Sequence, residues 1–163
     1  MNVYRADIAA VVAAPHLFQK LIALQPPNQG TGIVVARYVG RITGNDVSNH
    51  KGIDIGVSYV NVYACGAGTV VTSTYSSSYG YYIVVDHGGG ESTLYAHLSK
   101  LGVKKGSTVE AGQYLGVSGN TGWSSGPHLH LELRLSGSYK NPLTTKDKNG
   151  DYYLSRPNNL IYY

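Results

Sequence analysis

The chain has 163 residues, 42% hydrophobic and only 13% charged, which suits one folded domain with a core and excludes a disordered chain. Its net charge of +4 comes from scattered basic residues, so no nucleic-acid footprint is marked out, although a general attraction to anionic polymers such as cell wall is expected. The single cysteine excludes an intrachain disulfide, and no apolar run approaches the ~20 residues of a membrane span.

Residues 1–25 carry the one helical pattern. Ile8, Val11, Val12, Leu17, Leu21 and Leu24 recur near a 3.6-residue period, and Pro15 divides them into two short pieces. Asp7 interrupts the apolar run "ADIAAVVAAP" and only Arg5 precedes it with positive charge, so it does not read as a signal peptide. "QPPNQGTG" (Gln25 to Gly32) is a linker or turn. The expected organisation is a helical extension and linker over 1–32, one β domain over 33–145, and a polar, aromatic tail over 146–163.

After the linker everything reads β. The 21 glycines and 15 tyrosines, with many Val and Thr, call for short strands and frequent turns. Strands are expected at Ile33–Ile42, Gly52–Val57, twice within Val60–Tyr75, at Tyr81–Gly88 and at Ser92–Leu98 after a "GGGE" hairpin. Two short strands follow in "VKKGSTVEAGQYLGVSG", and "PHLHLELRL" is the last long one. Spacings near ten residues predict a mainly β fold: an antiparallel sheet, sandwich or barrel. Cys65 reads as a small buried strand residue.

Six histidines punctuate this framework. In a strand His128 and His130 share one face with Glu132, while Leu129, Leu131 and Leu133 face the core. Such an H-x-H pair is either two exposed imidazoles on a wet face or a pair that reaches one metal ion. Asp54, between Ile53 and Ile55, is a carboxylate in a half-buried strand and needs a partner, either a cation or turn amides. His50 precedes it by four residues, at a turn. His97 lies in a strand, and alone it reads as a satisfied histidine. His87, at a hairpin beside Asp86, and His16, after Pro15, read as structural or surface residues.

Taken in order, "HKGIDIG", "YAHLSKL" and "TGWSSGPHLHLEL" strongly resemble the lysostaphin-type (LytM-like) zinc endopeptidases, which cut peptides of bacterial peptidoglycan. The likeness spans roughly Arg41 to Leu143 and leaves both termini uncovered. It implies an open groove in the sheet, one Zn²⁺ held by His50, Asp54 and His130, and catalytic roles for His97 and His128 beside a zinc-bound water. Two His and one carboxylate leave a fourth zinc position open, the pattern of a catalytic site and not a structural one. No HExxH glutamate is present to serve as base, so an imidazole must take that part. Glu132 either orients a ligand histidine or is an ordinary strand residue. The resemblance further implies a peptidoglycan peptide as substrate, a monomer, and action outside the cytoplasm, in the wall or periplasm or from a phage particle. A catalytically silent zinc-binding module on the same fold is the alternative. The chain departs from relatives in the short stretch Asn45–Asn49 and in lacking a Pro before "VYA". Both changes bear on the rim of the groove and on substrate preference.

Overall fold

The computed structural model describes residues 41–44, 50–142 and 144–146. The expected N-terminal helices, the linker, His16, most of the Ile33–Ile42 strand, the stretch Asn45–Asn49 and all but the start of the tail lie outside them. Ten strands run in chain order: β1 Arg41–Gly44, β2 Ile53–Gly56, β3 Asn61–Tyr63, β4 Gly68–Ser76, β5 Gly80–Gly88, β6 Glu91–Leu101, β7 Thr108–Val109, β8 Tyr114–Ser118, β9 Leu129–Leu135 and β10 Ser138–Lys140. They join in the order β1-β2-β9-β6-β5-β4-β7, with β10 on β9 and β8 linking β3 to β6. Every pairing of named strands is antiparallel. The mainly antiparallel β architecture expected from the sequence is thus the one observed. No helix among the described residues is long and apolar enough to cross a membrane.

The period-two alternation of the strands builds two faces. Ile53 and Ile55 of β2, Ile83 and Val85 of β5, Tyr95 of β6, and Leu129, Leu131 and Leu133 of β9 enter one large core. The alternate residues Val84, Leu94 and Ala96 form a smaller cluster on the other face, with Tyr79 and Tyr82 packed against it. Register carries that second face across three strands. Asp54 stands opposite His130, and His130 opposite Ala96, while Glu132 stands opposite Leu94 one row along. The leucines of β9 therefore fix its rotation from the core side and turn His130 and Glu132 toward the small face. Each buried leucine contributes about 1.5–3 kcal/mol to that grip.

Several sequence-based boundaries need correction. β9 begins at Leu129, and His128 is joined only by an isolated bridge to Gly119. Pro127 explains the late start, because a proline cannot donate to a ladder. Thr43 and Gly44 carry β1 past the Ile42 end expected for that strand, and β10 is not among the expected strands. Cys65 is buried as expected, but it sits after β3 in the turn leading to β4. Ser76 and Gly80 close the β4–β5 hairpin as a pair, which shortens its tip to Ser77–Tyr79.

Candidate active site

The site gathers side chains from β2, β6, β9 and the loops beside them. Asp54 projects from β2 onto the small face, and its Oδ1 lies 2.9 Å from His130 Nδ1 and 3.1 Å from His50 Nε2. His50 precedes β2 at a turn in which the Gly52 amide donates to the His50 carbonyl over 3.0 Å. The His50 Nδ1–H donates back to the Gly52 carbonyl, also over 3.0 Å, so its Nε2 is the nitrogen left for a ligand. Gly52 is required by this approach, because a Cβ there would run into the His130 ring. The three predicted ligands thus converge, with their donor atoms within 4.8 Å of one another.

His97 reaches the site by a device that strand periodicity does not foretell. Between the pairs Tyr81↔Leu98 and Ile83↔Tyr95, β6 carries one residue more than β5. His97 is in that bulge and has a φ of 59°, a left-handed conformation that costs a non-glycine residue about 1–2 kcal/mol. The extra residue brings its ring beside His128, with centroids 4.6 Å apart, while Leu98 returns to the core. The His97 amide donates to the Tyr79 carbonyl over 2.8 Å, and its Nδ1–H donates to the Thr121 carbonyl over 2.8 Å.

His128 ends a loop whose closure is the bridge to Gly119, where its amide donates over 3.1 Å. Its Nδ1–H donates to the Gly126 carbonyl over 2.8 Å, and its Nε2 lies 3.6 Å from Asp54 Oδ1. His97 and His128 therefore each have Nδ1 held by a backbone carbonyl, which leaves Nε2 as the other ring nitrogen. Loop 119–128 is braced by the β4–β5 hairpin: Trp123 donates its amide to Ser78, and Tyr81 donates its amide to Thr121 Oγ1.

Behind His130 stands Glu132, only 1% exposed. Its Oε1 accepts from the Tyr79 hydroxyl over 2.6 Å and lies 3.2 Å from His130 Nε2. Its Oε2 accepts from Arg134 Nε over 2.7 Å and from a terminal guanidinium nitrogen over 2.6 Å. Sequence reasoning missed Tyr79 and Arg134. Arg134 had a signal, since it continues the every-second-residue series after Glu132, whereas Tyr79 comes from a hairpin tip 53 residues away and had none.

The electrostatics follow from this packing. Burial opposes the charge on Asp54, but the hydrogen bond from His130 and the surrounding imidazoles outweigh it and lower its pKa. Burial also opposes the His130 imidazolium, yet Asp54 and Glu132 raise its pKa to about 9. Burial dominates at His97, and with His128 and His130 nearby its pKa falls below the usual histidine value. His97 is therefore neutral at neutral pH and can accept a proton.

Atoms bound to one tetrahedral zinc at about 2.0–2.2 Å stand about 3.3–3.6 Å apart; the two Asp54 distances, 2.9 and 3.1 Å, are shorter than this, and all three donor atoms lie within 4.8 Å of one another. Two imidazole nitrogens and one carboxylate oxygen suit zinc, so the residues fit the ion.

The model of peptidase family M23 matches residues 48–142, more than half of the chain. The chain belongs to peptidase family M23. Peptidoglycan DD-endopeptidase ShyA of Vibrio cholerae is 46% identical over 92 residues, which cover 56% of this chain and 21% of that protein. A zinc-containing peptidase from Vibrio cholerae superposes with a TM-score of 0.61 at 29% identity, covering 66% of this chain and 37% of the other. The catalytic domain of the antimicrobial peptidase lysostaphin from Staphylococcus simulans superposes with a TM-score of 0.55 at 34% identity, covering 65% and 85%. The resemblance to lysostaphin-type enzymes drawn from three short motifs is thus that of an M23 member. The chain spans about a fifth to a quarter of the length of the curated relatives it matches.

Proposed function

We propose that this M23 chain is a zinc-dependent endopeptidase that hydrolyses peptide bonds in the stem peptides or cross-bridges of bacterial peptidoglycan. The observation that carries the reading is the convergence of His50 Nε2, Asp54 Oδ1 and His130 Nδ1 beside two further imidazoles, each with Nδ1 held by a backbone carbonyl. In this reading His50, Asp54 and His130 hold one zinc ion, and His97 and His128 are the catalytic histidines. Zinc supplies an activated water at neutral pH and polarises the scissile carbonyl. The protein supplies the proton traffic. The Nε2 of one imidazole takes the proton of the attacking water, and a ring protonated at Nε2, either that one after the transfer or its neighbour as imidazolium, donates to the carbonyl oxygen or hands the proton to the leaving amine. Backbone carbonyls hold both rings in the required tautomer, so no tautomer change is needed before reaction. The name of the ShyA relative points to a bond between D-configured residues as the first substrate to try.

We assign the catalytic unit to residues 33–145, with the segments on either side lying outside it. Its place of action is wherever peptidoglycan is exposed to it, in the wall or periplasm or from a phage particle, and it works as a monomer. The test is incubation with purified peptidoglycan with and without chelator, followed by mass spectrometry of fragments from defined muropeptides. New amine termini that vanish with chelator and return with zinc are expected. No new termini under any metal condition overturns the peptidase reading and leaves a zinc-binding module without turnover.

A further inference from the structure

We propose that Glu132, clamped by Tyr79 and Arg134, is a positioning residue for the metal centre: it holds His130 with the proton on Nε2 and leaves Nδ1 to bind the ion. The inference rests on the zinc reading above and deepens it. Glu132 is buried on the small face, where its cross-strand partner is Leu94 and the adjoining cluster is Val84, Leu94 and Ala96. Packing alone calls for an apolar residue there, since a buried carboxylate is costly unless fully paired.

The pairing is complete and directional. Tyr79 donates to Oε1 and Arg134 to Oε2, so each oxygen has its own donor and the carboxylate plane is fixed. The fixed Oε1 is aimed at His130 Nε2 over 3.2 Å, and the opposite ring nitrogen lies 2.9 Å from Asp54. The imidazole is thereby stretched between two carboxylates, one on the ligand side and one behind. Metal-binding histidines commonly donate their second ring N–H to such a carboxylate, which sets the tautomer and the ring angle. Here Tyr79 adds a link, because its carbonyl also accepts the amide of His97. One hairpin-tip residue therefore braces the metal side and the proton-transfer side of the site.

A purely structural Glu132–Arg134 ion pair predicts something else: its loss lowers stability and leaves metal affinity alone. The experiment measures zinc affinity by competition with a chromophoric chelator on the whole chain, for wild type, Glu132→Ala and Tyr79→Phe. Circular dichroism of each metal-free protein establishes that it is folded. Glu132→Ala is expected to weaken zinc binding about 10- to 100-fold. Tyr79→Phe keeps the Glu132–Arg134 pair and should weaken it less, in the same direction. Zinc-loaded wild type should also give a downfield, slowly exchanging His130 Nε2–H resonance that shifts in Tyr79→Phe and is lost in Glu132→Ala. If Glu132→Ala does not fold, Tyr79→Phe decides by the same two readouts. Folded variants that bind zinc as wild type does, with the resonance unmoved, overturn the inference alone. A wild-type chain that takes up no zinc overturns the metal reading and the inference together.

Discussion

Asp54 Oδ1 is approached by three imidazole nitrogens, from His130 at 2.9 Å, His50 at 3.1 Å and His128 at 3.6 Å. What separates their roles is where each ring spends its other nitrogen. His50, His97 and His128 all donate Nδ1–H to a backbone carbonyl, so Nε2 is the atom that the proposed chemistry would use in each. His130 is reversed, with Nε2 toward Glu132 and Nδ1 toward Asp54. The proposed division makes a sharp prediction. Asp54→Ala should lose stoichiometric zinc, read by metal analysis. His97→Ala and His128→Ala should retain zinc while kcat falls about 10²–10⁴-fold, the usual scale for a lost general acid or base. Full turnover in both histidine variants would undo the assignment.

His87 was read from sequence as an ordinary hairpin histidine, and it has no part in the active site. It is nonetheless structural: Nδ1–H donates to the Ala67 carbonyl over 2.9 Å, and Nε2 meets Thr93 Oγ1 over 2.8 Å. Thr93 continues to the Tyr95 hydroxyl, which accepts the Cys65 amide. Burial, only partly offset by the Ala67 carbonyl and nearby acids, lowers the pKa of His87 below 6.5. Below pH 6.5 the unfolded chain binds a proton that the folded chain refuses. Its contribution to stability is therefore complete above pH 6.5 and is lost as pH falls from there through the lowered folded value. The Tm of wild type should drop more between pH 7.5 and pH 5 than that of His87→Gln, and equal drops would refute the account.

At the scale of the elements, legibility followed regularity. β2, β5 and β9 were readable to within a residue or two because apolar residues alternate or run continuously between glycine turns. The ordered motifs pointed to His50, Asp54, His97, His128 and His130, and register places Asp54 opposite His130. Two things were not legible. The bulge at His97 depends on a one-residue mismatch between β5 and β6, which pairing creates and composition does not reveal. The Tyr79 clamp depends on a hairpin tip folding over β9, a contact made by tertiary packing. Gly52 shows how tightly these elements abut: Gly52→Ala should push the His130 ring out of line. Zinc affinity is expected to fall at least tenfold, the scale of a disturbed outer contact to a ligand, with the rest of the sheet intact by circular dichroism. An unchanged affinity would mean that β2 yields instead of the ring.

For the whole molecule the main point is that the site crosses the sheet. β2, β9 and β6 lie side by side, and the row Asp54–His130–Ala96 runs perpendicular to all three. An ion bound across this seam ties β2 to β9 and is absent from the unfolded chain. Under linkage, zinc at 100 times its dissociation constant adds about 2.7 kcal/mol to the folded state. Calorimetry with and without chelator should show a zinc-dependent rise in Tm in wild type and none in Asp54→Ala.

The 76-residue separation of Asp54 and His130 also has a consequence in time. A ribosome delivers His50 and Asp54 early, when they offer one imidazole and one carboxylate and no cage. His130, the third ligand of the proposed site, arrives only with β9, after β3 to β8 have been made, and it lies opposite Asp54 only once β9 has slotted between β2 and β6. In the proposed reading the ion therefore loads only after β9 has been made and paired. A nascent chain halted before Leu129 carries neither His130 nor the strand that would present it, so the proposed three-ligand site is incomplete until β9 is in place.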